Sequence, residues 1–171
     1  SKKLKYISLD RYIKPKKEDI LLRNGRIVPL KKGDNFPLFG IIKKCLISTD
    51  ILIIRDPYII TAKISIHNAR TFIQMAPAGC KVEICTYSDK ERNRGRKSWD
   101  SHKTDKLSEL LFSSRAKENK VIKINKQSKK DLHDRSIETN DWLIMLGGGL
   151  DRHNGNTITR ETTISLLKKN K

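Results

Sequence analysis

Residues 132–151 read LHDRSIETNDWLIMLGGGLD, a stretch that joins a basic pair, two strand-like segments and a glycine turn. His133 and Arg135 are two residues apart, so in an extended backbone their side chains point to the same side. A guanidinium can donate two parallel hydrogen bonds to phosphate, and an imidazole can attack phosphorus or donate a proton. The pair therefore indicates a phosphate-handling site, against the plainer alternative of a surface histidine beside an arginine.

The rest of this stretch predicts two strands, residues 136–139 and 142–146, joined at Asn140-Asp141. Three glycines follow the second strand, where a ligand or another backbone can approach closely. His133 is the candidate catalytic residue. Phosphate binding is assigned here to His133, Arg135, Gly147, Gly148 and Gly149.

Helical spacing and apolar runs alternate in the preceding part of the chain. Residues 51–54 are continuously apolar, which is typical of a buried central strand, and Pro37 is placed to open a helix. The predicted elements are a helix at 37–46, a strand at 51–54, a helix at 61–75, a strand at 82–87, a helix at 105–118 and a strand at 121–124. This order predicts one α/β domain with a mostly parallel sheet flanked by helices.

The two ends of the chain carry weaker patterns. Residues 20–22 and 26–30 flank Asn24-Gly25, which predicts a β-hairpin or an edge extension within residues 1–35. Residues 158–167 predict a strand that runs into a short helix.

The charge of the chain favours a polyanionic partner. Among 171 residues, 37 are Lys or Arg and 19 are Asp or Glu, which gives a net charge of +18. Such an excess favours nucleic acid or an acidic membrane surface, with a basic surface of no specific role as the alternative. A basic loop is assigned to nucleic-acid or lipid contact through Lys90, Arg92, Arg94, Arg96, Lys97 and Trp99. Basic side chains follow phosphates and an aromatic ring can stack on a base, although a charged loop can also be merely solvated.

Other kinds of site have no support in the sequence. Cys45, Cys80 and Cys85 form no C-x-x-C pair, and the cysteines and histidines lack zinc-ligand spacing. No nucleotide-binding glycine motif occurs, and no apolar run approaches the ~20 residues of a membrane span. We expect no metal, no cofactor, reduced cysteines and a cytoplasmic location.

The spacing H-x-R-x4-N from His133, followed by glycines, resembles the phospholipase D superfamily motif H-x-K-x4-D followed by a glycine and a serine. In that superfamily the histidine is the nucleophile or general acid, and the lysine binds phosphate. Here Arg135 replaces the lysine, Asn140 the aspartate and Gly148 the serine. The resemblance implies a degenerate site that includes Asn140 among its phosphate-binding residues, in which phosphate binding is retained while the chemistry is damaged. Active members need two copies of the motif, in one chain or across a dimer, and this chain has one.

A further set of segments resembles the MIT C-terminal domain family, a phospholipase D-like module, over about residues 36–171. The matching segments are HDR at 133–135, Trp142, the turn at 147–151, ETTI at 161–164 and DPY at 56–58. From its residue types alone, DPY is interpreted as a turn that ends a strand. The resemblance implies a phospholipase D-like mixed sheet, no activity, and binding to phosphoinositide-bearing membranes through basic residues. Similar stand-alone modules occur in prokaryotic systems that act on foreign DNA.

These patterns give three hypotheses. The first is a non-catalytic or weakly catalytic module that binds phosphate-bearing polyanions, preferably nucleic acid, within a larger, defence-related assembly. The second is a peripheral membrane module for acidic phospholipids or phosphoinositides. The third is a dimeric, metal-independent phosphodiesterase or nuclease that uses His133 from each chain. Expected partners are nucleic acid or an acidic membrane, a second copy of the chain, and an additional protein or fused domain.

Overall fold

The computed structural model describes residues 17–24, 26–88, 106–111, 120–128, 130, 132 and 134–170. These residues form a mixed α/β domain with a seven-stranded sheet in the order β1-β9-β6-β5-β2-β3-β4. The strands are β1 (Arg26–Leu30), β2 (Ile51–Arg55), β3 (Lys81–Tyr87), β4 (Val121–Gln127), β5 (Ser136–Glu138), β6 (Trp142–Leu146), β7 (His153–Asn154), β8 (Thr157–Ile158) and β9 (Thr162–Lys168). β7 and β8 pair separately from the large sheet.

The described helices form one layer. They are α1 (Lys17–Asn24), α2 (Leu38–Cys45), α3 (Lys63–Met75) and α4 (Leu107–Leu111), with short 3-10 turns at Ile59–Thr61 and Leu150–Arg152. α2 contacts α1 and α3, and α3 also contacts α4. The two crossovers from β2 to β3 and from β3 to β4 place α3 and α4 on the same side, because parallel crossovers are right-handed.

The three parallel strands, β2, β3 and β4, lie at one side of the sheet and pair as the sequence predicts. β2 pairs in parallel with β3, and β3 with β4. Leu52, Ile54 and Ile84 are fully buried on the side that faces the helices. β5 and β6 form the predicted antiparallel pair, and β2 bonds to β5 on its other side. The predicted single α/β domain with a mixed sheet is confirmed, but the expectation of a mostly parallel sheet is wrong, because four of the six strand pairings in the described sheet are antiparallel.

Of the two alternatives predicted around Asn24-Gly25, the hairpin is wrong, because residues 17–24 form α1, whereas an edge extension agrees with β1. Glu18 and Asp19 lie in the first turn of this helix, where negative charge stabilises the positive helix end. The Lys44 ammonium lies 2.6 Å from the Asp19 carboxylate and ties α1 to α2. Of the two predicted hairpin strands only the second exists, as β1, and it pairs with β9 at the edge of the sheet.

The predicted helix near residue 167 is also wrong, because β9 continues to Lys168 as a strand. Thr162, Thr163 and Ile164 are β-branched, and such residues favour an extended backbone. β9 also has a hydrogen-bonding neighbour on each side, β1 and β6. Within the described part of the chain, no helix is long and apolar enough to cross a membrane.

Candidate functional site

A cavity of about 440 Å³ opens where β2 ends. Three segments meet there: the turn after β2 with the start of α3, the residue before β5, and the glycine turn with the loop that leads to β9. The lining residues are Asp56, Tyr58, Thr61, Ser65, Arg135, Gly148, Asp151, Arg152 and Arg160. Polar and charged side chains therefore dominate this cavity.

Asp56 anchors the cavity floor. Its side chain is 3% exposed, and its two carboxylate oxygens accept hydrogen bonds from the Tyr58 amide at 2.9 Å and the Leu150 amide at 3.0 Å. Burial raises the pKa of Asp56, while the two amides and the nearby Arg135 guanidinium act in the opposite direction. The DPY turn thus ends β2 as its chemistry predicts, and it also fastens the glycine turn to the end of the strand.

Arg135 projects into the cavity from the residue before β5. Its guanidinium carbon lies 5.8 Å from the centre of the Tyr58 ring, within the range of a cation–π contact. One terminal nitrogen donates a long hydrogen bond of 3.4 Å to the Gly147 carbonyl oxygen. The Arg135 carbonyl oxygen accepts from the Leu146 amide at 2.7 Å, which fixes the backbone. The arginine is therefore held in place with donors left over for a ligand.

The three glycines each make room for a different neighbour. A Cβ on Gly147 would lie 3.0 Å from the Thr163 carbonyl oxygen, so this glycine admits the backbone of β9. On Gly148 a Cβ would lie 2.4 Å from Cγ of Arg152. Gly149 has φ +90°, and there a Cβ would lie 2.8 Å from Cδ of Arg135. The close approach predicted at this turn is made by a strand and by two arginine side chains.

Two further arginines complete the basic wall of the cavity. Arg160 forms an ion pair with Asp151, and the Arg152 Nε lies 3.8 Å from the same carboxylate. The Arg152 side chain is 25% exposed and that of Arg160 is 59% exposed. Asp151 thus tethers two cations that remain open to solvent.

The start of α3 forms the opposite wall. Ser65 is 2% exposed and lines the cavity. No side chain caps the helix, and its first turn contains no acidic residue. Unpaired amides and the helix dipole make such an end favourable for anions.

Anion binding is the chemistry that this arrangement supports. Three guanidiniums face the cavity against two carboxylates, and one of those carboxylates is occupied by backbone amides. Serine, threonine and tyrosine hydroxyls can donate to phosphate oxygens. Among the described residues no cluster of three or more His, Cys, Asp or Glu could hold a metal ion.

The residues predicted from sequence are distributed unevenly around this cavity. Arg135 and Gly148 line it, and Gly149 packs against Arg135. Gly147 and Arg135 line a smaller cavity of about 110 Å³ next to Asp134. His133 and the basic loop with Lys90, Arg92, Arg94, Arg96, Lys97 and Trp99 lie outside the described residues, so their assignments stay predictions.

Asn140 lies at the other end of β5 from Arg135. Its side-chain oxygen accepts hydrogen bonds from the Thr49 hydroxyl at 2.8 Å, the Asp50 amide at 3.1 Å and the Ile51 amide at 3.2 Å. It therefore ties the turn between β5 and β6 to the start of β2. The structure gives Asn140 a place in the frame of the sheet rather than beside the cavity.

The sequence interpretation missed Arg152, Arg160, Asp151 and Ser65. Asp151 and Arg152 directly follow the glycine turn, so their position next to a predicted site was a usable signal. Arg160 and Ser65 carry no such signal. They reach the cavity through the return of the chain toward β9 and through the placement of α3 after β2.

The comparison with known families agrees with this architecture. A family model described as a phospholipase D-like domain at the C-terminus of MIT matches residues 39–168. No curated protein matches the chain. The family match covers most of the chain and confirms the resemblance drawn from the HDR, glycine-turn and ETTI segments. The chain therefore belongs to the family of phospholipase D-like domains found at the C-terminus of MIT.

Proposed function

We propose that this domain binds phosphate-bearing polyanions without catalysis, or with weak catalysis, and that nucleic acid is its preferred ligand within a larger, defence-related assembly. The observation that carries the proposal is the convergence of Arg135, Arg152 and Arg160 on one cavity. Arginine is suited to phosphate because its planar fork donates two parallel hydrogen bonds. Converging arginines therefore favour an anion with several acceptor oxygens, such as a phosphate, over a simple halide.

The size of the cavity fits a phosphate together with part of a sugar. Its volume of about 440 Å³ falls within the range of roughly 300–1,000 Å³ that is usual for small-ligand sites. Ser65 and the positive end of α3 line the same cavity as the arginines. One phosphate group could thus receive donors from two sides.

The net charge of +18 supplies the long-range attraction that a polymer requires. Polyanion binding of this kind releases counterions, so affinity falls steeply with salt. Positioning through one phosphate and attraction through many basic side chains is a common division of labour in nucleic-acid binding. The surroundings of Asp56 support a binding role over catalysis, because both of its oxygens already accept backbone hydrogen bonds.

Replacing Arg135, Arg152 and Arg160 together by alanine is expected to weaken oligonucleotide binding about tenfold or more, because charge-assisted hydrogen bonds to phosphate are lost. The slope of log affinity against log salt should decrease by about one, because the cavity is proposed to hold one phosphate group. Fluorescence anisotropy with single-stranded and double-stranded DNA and RNA, measured over a salt series, gives both quantities.

The control removes the same charge elsewhere. Arg26, Lys43 and Lys123 are exposed, and none of them lines the cavity. Their triple replacement by alanine should lower affinity by a smaller factor and leave a preference for phosphorylated ligands intact. Equal losses in the two triple variants would show that only net charge matters and would reject the cavity as the phosphate site.

A second candidate function is attachment to an acidic membrane surface. Ile51, Lys81 and Val121 are neighbours across β2, β3 and β4, and Ile51 and Val121 are 40% and 65% exposed. Ile47, on the turn before β2, is 74% exposed. Exposed branched apolar side chains beside lysine suit a membrane interface with anionic lipids. This patch lies at the start of the parallel strands, at the opposite end of β2 from the cavity.

Liposome co-sedimentation distinguishes this candidate from the first. Ile47→Asp combined with Val121→Asp should abolish binding to vesicles rich in phosphatidylserine, while the triple arginine variant should keep it. Ile27 and Leu167 are also exposed apolar residues, near the other edge of the sheet, and their replacement by aspartate is the matched control. Absence of binding to acidic vesicles by the unmodified protein would remove the membrane candidate.

A further inference from the structure

Gly148 is required by its neighbour rather than by its own backbone. The glycines with positive φ among the described residues are Gly33, Gly79, Gly149 and Gly155, so the φ of Gly148 is one that other residues can adopt. Yet a Cβ at Gly148 would lie 2.4 Å from Cγ, 2.6 Å from Nε and 2.9 Å from Cδ of Arg152. A contact under 3.0 Å along the stem of the arginine, and not at its tip, means that Arg152 would have to move.

The stem of Arg152 is held in this position by two interactions. Its Nε donates to the Gly148 carbonyl oxygen at 3.3 Å and lies 3.8 Å from the Asp151 carboxylate. The terminal nitrogens of the guanidinium, which carry most of its donors, are left for a partner on the cavity side. By contrast, Arg160 is more exposed and is already paired with Asp151.

We propose that Arg152 is the residue that sets phosphate affinity on the turn side of the cavity, and that Gly148 is its positioning residue. The two act as one unit, because Gly148 has no side chain and so leaves the space through which the Arg152 side chain reaches the ligand. The inference rests on the proposed function, because it requires that the cavity binds phosphate. Beyond that function, the inference names Arg152 as the residue whose two-pronged hydrogen bonding makes the cavity selective for phosphate.

Arg152 and Arg135 also differ in the contacts that hold them in place. Arg135 occupies the space that Gly149 leaves free, so two consecutive glycines make room for two different arginines. Arg135 has the Tyr58 ring and the Gly147 carbonyl oxygen as supports, whereas Arg152 depends on Gly148 for both room and a hydrogen bond. Loss of room at position 148 should therefore displace Arg152 while Arg135 stays in place.

The test is a double-mutant cycle with inorganic phosphate and a 5′-phosphorylated oligonucleotide as probes. Arg152→Ala, Gly148→Ala and the double variant are titrated, with amide chemical shifts as the readout for phosphate and anisotropy for the oligonucleotide. Each single variant should weaken binding about tenfold, and the double variant should be no weaker than the weaker single variant, since both remove the same contact. Arg152→Lys should restore the salt slope lost in Arg152→Ala but only part of the affinity, because a lysine keeps the charge without the fork.

Two comparisons make the outcome decisive. Arg26→Ala removes an exposed charge outside the cavity and should leave phosphate binding unchanged. Arg135→Ala reports whether the cavity binds phosphate at all. Normal binding by Arg152→Ala alongside weak binding by Arg135→Ala would overturn the role of Arg152 and leave the proposed function intact. Wild-type titrations with no shift at the amides of Gly148 and Gly149 would overturn both.

Discussion

The free energy of unfolding is expected to decrease as the pH falls from about 6.5 to about 4, because His153 has to stay neutral in the folded protein. Burial lowers the pKa of His153 from 6.5 to about 4, and the nearby Asp151 carboxylate offsets only part of this. Between these two values the unfolded chain binds a proton that the folded protein does not. Stability from this residue is therefore complete above the unfolded pKa and is lost as the pH falls toward the folded one.

The surroundings of His153 explain the size of the effect. The side chain is 0% exposed, and neither ring nitrogen has a hydrogen-bond partner in the described part of the chain. Its backbone oxygen accepts a hydrogen bond of 2.8 Å from the Asn68 side chain, which fixes β7 against α3. A shift of this size corresponds to about 3–4 kcal/mol at most, since each unit of pKa is worth about 1.4 kcal/mol.

Urea unfolding of the wild type and of His153→Leu, measured at several pH values between 4 and 7.5, tests this expectation. The variant should have nearly the wild-type stability at pH 7.5 and should lose much less of it by pH 4, because leucine does not titrate. His67 is exposed on α3, so His67→Leu is the matched control and should keep the wild-type slope. Parallel curves for the wild type and His153→Leu would contradict the assignment of the acid sensitivity to this residue.

Asp56→Ala is expected to destabilise the domain by about 2–4 kcal/mol at neutral pH. The change removes the acceptors of the Tyr58 and Leu150 amides, and a buried donor without a partner costs about 1–3 kcal/mol. The raised pKa of Asp56 reflects the cost of burying its charge, and losing that cost offsets part of the effect. The hydrogen bonds are expected to dominate, because they hold the glycine turn to β2.

Asp34→Ala is the matched control for this prediction. Asp34 also accepts a backbone hydrogen bond, from the Lys31 amide at 2.8 Å, but on an exposed turn where water can replace it. The control should cost less than about 1 kcal/mol by urea unfolding. Similar losses for the two variants would show that Asp56 is no more than an ordinary turn residue.

For Asp56→Asn, the loss of stability should lie between zero and that of Asp56→Ala. The asparagine oxygen still accepts one backbone hydrogen bond, but its amide nitrogen would face the other backbone amide, which is also a donor.

The sequence was sufficient for the centre of the fold, because that part depends on local patterns. The apolar run at 51–54 and the alternation at 82–87 describe β2 and β3 closely. The pair β5 and β6 follows from residues near in sequence, joined at Asn140-Asp141. Arg135 could also be predicted from the sequence, because it belongs to a short motif with a known spacing.

The features that could not be predicted from the sequence depend on contacts between distant segments. Asn24-Gly25 is a strong local turn signal, yet α1 forms because Leu21 is buried in the core and Asp19 pairs with Lys44 of α2. Arg160 enters the cavity only when the chain has returned toward β9, and no spacing rule connects it to Arg135. Asn140 fits the motif spacing, but its side-chain oxygen accepts hydrogen bonds from the Asp50 and Ile51 amides at the start of β2. Motif spacing therefore identified the neighbourhood of the site and not its full set of residues.

The position of β9 has a consequence for folding during synthesis. β9 lies between β1 and β6, although β1 is the first strand of the sheet to leave the ribosome and β9 is the last. Until residues 162–168 emerge, the facing edges of β1 and β6 have unpaired backbone groups, and such edges can recruit strands of other chains. Joining Arg26 to Leu166 also closes a loop that spans almost the whole described chain, which makes this pairing slow. The sheet is thus completed in one late step, which the nascent chain reaches only through a period of exposed edges.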